Sequence, residues 1–252
     1  MLTQTRRRVT AFVAAALMGA GIIAGPATPN AHADNGNMVI FGDSVVADAP
    51  SLEYLSARVG LHPNGKSDPA RWCPTSANNF GKQAARRLGL QPRDFSCPGA
   101  VSISRGPNIS TQIDRAVRER GLDRNTKRVV LQTGFNDTYN NAVNLPSVRE
   151  GWWKDASDAA VHKIRAHAPN ARIAFVNYPT ISHPGDSKQC LIHVNVAGQN
   201  IDAGVPAFWI EQGEIETSKY AKQAADRHQA EFVDVRAMTT DRHECAPDDK
   251  RI

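Results

Sequence analysis

Val39-Ile40-Phe41-Gly42-Asp43-Ser44-Val45 is the stretch that decides the fold, a short apolar run that stops abruptly at a serine. Val39, Ile40 and Phe41 are β-branched or aromatic, the residue types that suit a buried strand. Gly42 and Asp43 mark a sharp exit from that strand. Ser44 is therefore expected at a strand's carboxyl end, where open α/β sheets place their ligands. A serine alcohol there is unreactive at neutral pH unless a base takes its proton and donors receive the oxyanion. The rest of the chain must supply both.

Working outward, residues 51–59 read as a short helix and 60–72, with four prolines or glycines, as a surface loop. Residues 76–88 place Phe80, Ala84, Ala85 and Leu88 near helical spacing, and Gly89 ends that helix. Residues 95–101 are predicted as the second strand with its turn, containing Cys97-Pro98-Gly99-Ala100. A helix over 109–120 carries Ile113, Ala116 and Val117 on one face, and Gly121 closes it. The third strand, 128–132, runs directly into Thr133-Gly134-Phe135-Asn136-Asp137. A polar loop over 139–145, a long helix over 146–167 and a strand over 171–178 follow. Residues 180–206 lack clear periodicity, and loops of that length are usually functional or mobile. A helix over 211–229, a last strand over 231–235 and a terminal loop over 238–252 complete the chain. Five strands separated by helices imply a parallel sheet with helices on both faces.

Residues 1–33 have the make-up of a secretory signal peptide. Arg6-Arg7-Arg8 precede a mainly apolar run, and Ala31-His32-Ala33 forms a small-x-small cleavage site. Gly19, Gly21, Gly25, Pro26 and Pro29 disfavour a permanent membrane span. The expected organisation is thus a leader over 1–33 and one domain over 34–252, located outside the cell or in its envelope. Without the leader's three arginines the formal charge of +5 falls to +2, from 27 basic and 25 acidic residues. No dense Lys/Arg run remains, which argues against nucleic acid as a partner.

All four cysteines, Cys73, Cys97, Cys190 and Cys245, lie in the exported part. An even number in an oxidising compartment reads as two disulfides, of which three pairings exist. Chain proximity favours Cys73 with Cys97 and Cys190 with Cys245. Spacings of 24, 93 and 55 residues contain no C-x-x-C pair, so a zinc site is the weaker reading and no metal is expected.

Four strand ends carry residues of catalytic type: Ser44, Gly99, Asn136 and, beyond the fifth strand, His243. Together they make a chemically complete set. Ser44 attacks, His243 removes its proton, and the Ser44 amide, the Gly99 amide and the Asn136 side chain donate to a tetrahedral oxyanion. Each has a plainer reading. Ser44 alone reads as a helix N-cap, and Asn136 and Asp137 as ordinary turn formers. Asp43 suits bracing the turn, and Asp137 suits holding the loop that aims Asn136. His162, His167 and His228 fall on predicted helices as surface residues. His62, His183 and His193 fall in loops, where nothing supports substrate contact. Among Trp152, Trp153 and Trp209, the last has the best claim on substrate because it borders the long loop.

In order, Gly42-Asp43-Ser44, Gly99, Gly134-Phe135-Asn136-Asp137 and His243 resemble the SGNH (GDSL-type) hydrolases along nearly all of the exported chain. The cysteine placement is similar to secreted actinobacterial esterases and lipases of that superfamily. There, one bridge precedes the glycine block and another ties a loop to the histidine region. The resemblance implies a three-layer, flavodoxin-like α/β/α fold with strand order 2-1-3-4-5. It also implies hydrolysis of esters without metal or organic cofactor. The expected partner is an ester substrate, of a lipid or an acylated glycan, and the expected state is a monomer. One block departs from the pattern. The acid usual three residues before the histidine is Thr240 here, so either Asp241 orients the imidazole or a backbone carbonyl near Thr240 does. Two other functions fit: acyl transfer or deacylation on envelope glycans or glycolipids, and non-catalytic binding on a hydrolase scaffold.

Overall fold

The computed structural model describes residues 36–58, 73–196, 199–247 and 249–251. The expected leader and the whole loop over 60–72, with His62, lie outside these residues. Strand β1 (Asn37–Gly42) is buried along its whole length and leads into the one-turn helix α1 (Ser44–Ala47) and then α2 (Ser51–Arg58). Helix α3 (Phe80–Arg87), capped by the Asn79 side chain, precedes β2 (Gln91–Asp94), and α4 (Ile109–Arg118) precedes β3 (Thr126–Gln132). Next come α5 (Phe135–Asn140), α6 (Pro146–His167) and β4 (Arg172–Val176). Strands β5 (Lys188–Val196) and β6 (Gln199–Pro206) are followed by α7 (Phe208–His228), β7 (Glu231–Val233) and α8 (Val235–Met238).

The main sheet has the order β2-β1-β3-β4-β7, every pair parallel, which is the flavodoxin-like order expected. Alternation along β1 sends Val39 and Phe41 to one face and Met38 and Ile40 to the other. The first face packs with Ile113, Leu131, Trp153, Ile164, Phe175 and Ala221. The second packs with Val46, Ala85, Val130, Ala174 and Val176. Two separate apolar clusters on one sheet make the three layers.

The second strand starts at Gln91 instead of Phe95, so it is polar and contains Pro92. A proline and alternating exposure are tolerated there because β2 is the sheet edge. Phe95 and Cys97 still donate backbone hydrogen bonds to Ile40 and Gly42, so pairing along β1 continues to the site. Part of the expected 180–206 loop is an antiparallel hairpin of β5 and β6, paired from Lys188 opposite Pro206 to Val196 opposite Gln199 with a register shift between Cys190 and Ile192. The alternation of Cys190, Ile192, Val194 and Val196 carried that signal, but the returning Asn200-Ile201-Asp202-Ala203-Gly204 has little strand character.

The two disulfides are Cys73–Cys97 and Cys190–Cys245, with Cα separations of 4.4 and 5.1 Å. All four cysteines are thereby used in cross-links. Among the described residues no helix is long and apolar enough to cross a membrane.

Candidate active site

The chain leaves β1 through Gly42, where no side chain would fit. A Cβ would lie 2.3 Å from Val46 Cγ1 and 2.6 Å from the Gln132 carbonyl oxygen. Asp43 then caps α1, its carboxylate accepting from the Val45 N–H at 3.1 Å. The N-cap is therefore Asp43, and Ser44 is the first helical residue. Its exposed hydroxyl makes no hydrogen bond among the described residues. Ser44 is thus relieved of the plain structural role that its sequence position allowed.

Two buried side chains brace this turn. Gln112, projecting from α4, grips the peptide groups of Gly42 in both directions: it accepts from the Gly42 N–H at 3.0 Å and donates to the Gly42 carbonyl at 2.9 Å. Tyr178, just past β4, donates its hydroxyl to Asp43 and accepts from the Phe135 N–H at 3.2 Å. It thereby ties the serine block to the asparagine block. Burial pushes the Asp43 carboxyl up to about 7, against the opposing pull of the Tyr178 hydroxyl and the Val45 amide. Burial, reinforced by the Asp43 carboxylate, raises Tyr178 well above the usual phenol range. Asp43 is enclosed and fully engaged, in keeping with a brace.

Gly99 adopts φ +79°, a left-handed conformation that favours glycine. It sits between Cys97, whose N–H donates to Gly42 at 3.0 Å, and Ala100, whose carbonyl accepts from Asn136 Nδ2 at 2.7 Å. The Ser44, Gly99 and Asn136 blocks are therefore joined by direct hydrogen bonds. Asn136 Oδ1 accepts from the Tyr139 hydroxyl, which fixes which end of the amide presents its N–H groups. One of those N–H groups goes to Ala100 and the other has no partner among the described residues. Gly134, at φ +116°, lets the chain turn into α5 against the Trp153 indole nitrogen, from which a Cβ would be only 2.7 Å away.

Asp137 has the structural role foreseen for it. Its carboxylate accepts from the N–H groups of Ser102 (2.7 Å), Ile103 (3.2 Å) and Ser104 (2.8 Å) and from the Ser104 hydroxyl (2.6 Å). Four donors on one buried carboxylate fix the loop after Gly99 against the start of α5.

His243 lies on the C-terminal loop, 9% exposed. The loop is held by the Cys190–Cys245 bridge and by the Glu244 N–H, which donates to the Ile181 carbonyl at 3.0 Å. Ile181 and Ser182 in turn donate their N–H groups to the fully buried carboxylate of Glu214 at 3.2 and 2.9 Å. The Glu214 carboxylate also pairs with Arg236 at 3.2 Å. His243 is thus anchored beyond the carboxyl end of β4, and no hydrogen bond joins it to Ser44 among the described residues. Burial holds its imidazole below the usual histidine range; the nearby His183 pushes the same way, and Asp186 and Asp241 oppose.

Asp241, expected as one of two alternative orienters, is not brought to the imidazole. Its side chain is 61% exposed and pairs with Lys250 at 3.4 Å. The buried Nδ1 of His243 has no hydrogen-bond partner at all among the described residues, so the backbone alternative is not realised either. The orphaned ring nitrogen instead lies on a ring that meets His183 edge-to-face, with centroids 4.7 Å apart.

Of the three tryptophans considered, Trp153 is core, stacked on Tyr220 at 5.7 Å. Trp152 borders an open depression beside Ser102–Arg105. Trp209 and Phe208, both largely exposed, line a separate groove of about 350 Å³ with Phe135, Tyr139 and Gly213. The charged groups at the groove's side, Arg149 and Glu216, are paired with each other at 2.8 Å. Gln112, Tyr178 and Glu214 were not found by sequence reading. Gln112 stood next to the apolar face of its helix as the one visible signal.

The GDSL-like Lipase/Acylhydrolase family matches residues 40–251, and the chain belongs to that family, a class of serine ester hydrolases. Three solved structures share the fold at low identity. One is a phospholipase A1 from Streptomyces albidoflavus, with 18% identity over 83% of this chain and 84% of that one and a TM-score of 0.51. Another is an extracellular lipase from Streptomyces rimosus, with 15% identity, coverage of 84% and 86% and a TM-score of 0.52. The third is an active-site mutant of a family two carbohydrate esterase from Clostridium thermocellum, with 13% identity, coverage of 84% and 58% and a TM-score of 0.50. No curated protein matches the sequence.

Proposed function

We propose that residues 34–252 are an exported carboxylic ester hydrolase that works through an acyl-enzyme on Ser44. His243 takes the Ser44 proton as the oxygen attacks the ester carbonyl, and the Ser44 and Gly99 amides with the Asn136 side chain receive the oxyanion. His243 then returns the proton to the leaving alcohol, and water repeats the sequence in reverse to free the acid. The observation that carries this reading is the serine turn itself. Asp43, Gln112 and Tyr178 satisfy the turn's own polar groups and leave the Ser44 hydroxyl exposed and uncommitted.

Export is supported by the leader composition of residues 1–33 and by two disulfides, which persist in oxidising compartments. The apolar groove of Phe208 and Trp209, with its charges mutually paired, favours an ester bearing an apolar chain. The test is a series of aryl esters of increasing acyl length, run beside Ser44→Ala and a fluorophosphonate probe. Wild type is expected to turn over the esters and be labelled on Ser44, and Ser44→Ala is expected to lose roughly a thousandfold or more in kcat. Equal turnover by both proteins overturns the mechanism. An unlabelled wild type without activity supports a binding protein instead.

A further inference from the structure

In serine hydrolases the acid beside the base has two tasks, holding the imidazole in one orientation and stabilising the imidazolium that forms. Neither Thr240 nor Asp241 performs them here, since Thr240 carries no charge and Asp241 is turned to Lys250. A different pair reaches the ring. His183 packs against His243 at a centroid distance of 4.7 Å and an interplanar angle of 84°. His183 Nδ1 in turn lies 2.9 Å from Asp186 Oδ1.

The segment that presents this pair is tightly built. The His183 N–H donates to the Lys188 carbonyl at 2.8 Å, and the Ser187 N–H returns to the His183 carbonyl at 3.1 Å. The Asp186 carboxylate also accepts from the Lys188 N–H at 3.0 Å, and the Ser187 hydroxyl donates to Glu211 at the start of α7. Gly185, at φ +101°, permits the turn. Two residues beyond Lys188, Cys190 is bridged to Cys245, itself two residues beyond His243. The cross-link therefore joins the two histidine-bearing segments directly.

We propose that His183, oriented by Asp186, is a positioning residue for His243 and takes the place of the acid absent at position 240. The inference rests on His243 being the base of the proposed reaction. Ring contact limits rotation of an imidazole whose own Nδ1 has no hydrogen bond. A His183 ring donating its Nδ1 proton to a carboxylate is electron-rich, and an aromatic ring of that kind attracts a neighbouring cation. The Asp186 carboxylate, 59% exposed, adds a solvent-screened field one ring away from the imidazolium. When His183 carries a second proton, its charge opposes that of His243. The charged groups acting on His243 are then His183 in one direction and Asp186 and Asp241 in the other.

Three variants test this, read by kcat, KM and the acidic limb of the pH–kcat/KM profile. His183→Ala removes the ring and is expected to lower kcat roughly tenfold with KM unchanged. His183→Phe keeps a ring and is expected to recover part of that loss. Asp186→Asn removes a group that raises that affinity, so its limb moves to lower pH as kcat falls. Wild-type kcat in both His183→Phe and Asp186→Asn, with an unmoved limb in Asp186→Asn, overturns the proposal even if His183→Ala misfolds. Failure of the underlying reading looks different: His243→Ala would then retain full activity, or wild type would escape fluorophosphonate labelling at Ser44.

Discussion

The two ends of the candidate site are held by opposite means. Around Ser44, buried polar side chains from distant parts of the chain converge on a few peptide groups: Gln112 on Gly42, Tyr178 on Asp43, Asp137 on Ser102–Ser104. Around His243 the loop is fixed by a disulfide, by backbone hydrogen bonds of Glu244 to the Glu214-held Ile181 and of Ala246 to His243, and by a ring contact, while the imidazole Nδ1 has no hydrogen-bond partner among the described residues. A nucleophile that must meet a carbonyl carbon at a defined angle gains from a turn with every group satisfied. A base that must swing a proton from serine to leaving group needs only confinement. The difference locates where covalent restraint and where hydrogen bonding should matter.

The largest effect is expected at the base end, where the restraint is covalent. In the chain-entropy picture, a bridge closing a 55-residue loop stabilises the fold by about 4 kcal/mol. Replacing Cys190 and Cys245 together by serine should therefore lower the melting temperature and the urea midpoint. At temperatures where the variant stays folded, kcat should fall more than the substrate's KM changes, since the base wanders while the serine turn stays intact. Unchanged kcat in a folded variant would show that the other contacts confine His243 alone.

At the nucleophile end the expected cost is smaller and purely polar. Gln112→Ala leaves the Gly42 N–H buried without a partner, whereas the Gly42 carbonyl still receives the Cys97 N–H. An unsatisfied buried amide costs about 1–3 kcal/mol, which denaturant unfolding can measure. Because the freed peptide group directly precedes Asp43-Ser44, fluorophosphonate labelling of Ser44 should slow in parallel. Normal labelling at reduced stability would restrict Gln112 to a packing role.

How far the sequence could be read follows the same division. The layers were legible because β1, β3 and β4 are apolar runs between periodic helices, and the strand order followed only from the family resemblance carried by four short blocks in order at the strand ends. The edge strand β2 and the returning strand β6 were not, since an edge needs little apolar character and the Gln91-Pro92-Arg93-Asp94 run has almost none. The candidate residues Ser44, Gly99, Asn136 and His243 stood out through their local motifs. Their supports did not, because Gln112, Tyr178 and Glu214 act across 70, 135 and 32 residues, on Gly42, Asp43 and Ser182 respectively. No local pattern records a partner at that distance. The ring that meets His243 was illegible for a related reason: the local motif points to an acid at position 240, while His183 lies 60 residues upstream.

The smallest effect is expected from the residue that sequence proximity favoured. Asp241 differs from an orienting acid in pairing with Lys250 and in making no hydrogen bond to the imidazole or to the ring that meets it. Neutralising a buried triad acid in a serine protease lowers kcat by about 10⁴, because the imidazole is left in the wrong tautomer. Asp241 offers His243 only a solvent-screened field, the weakest of the influences on that ring. Asp241→Asn should therefore leave kcat within about twofold of wild type. Its sign is also fixed. Losing a carboxylate that favours the imidazolium can move the acidic limb only toward lower pH, and by less than Asp186→Asn does. A drop in kcat of a hundredfold or more would mean that Asp241 turns inward in the working enzyme, and that the contrast between a hydrogen-bonded nucleophile and a merely confined base does not hold during turnover.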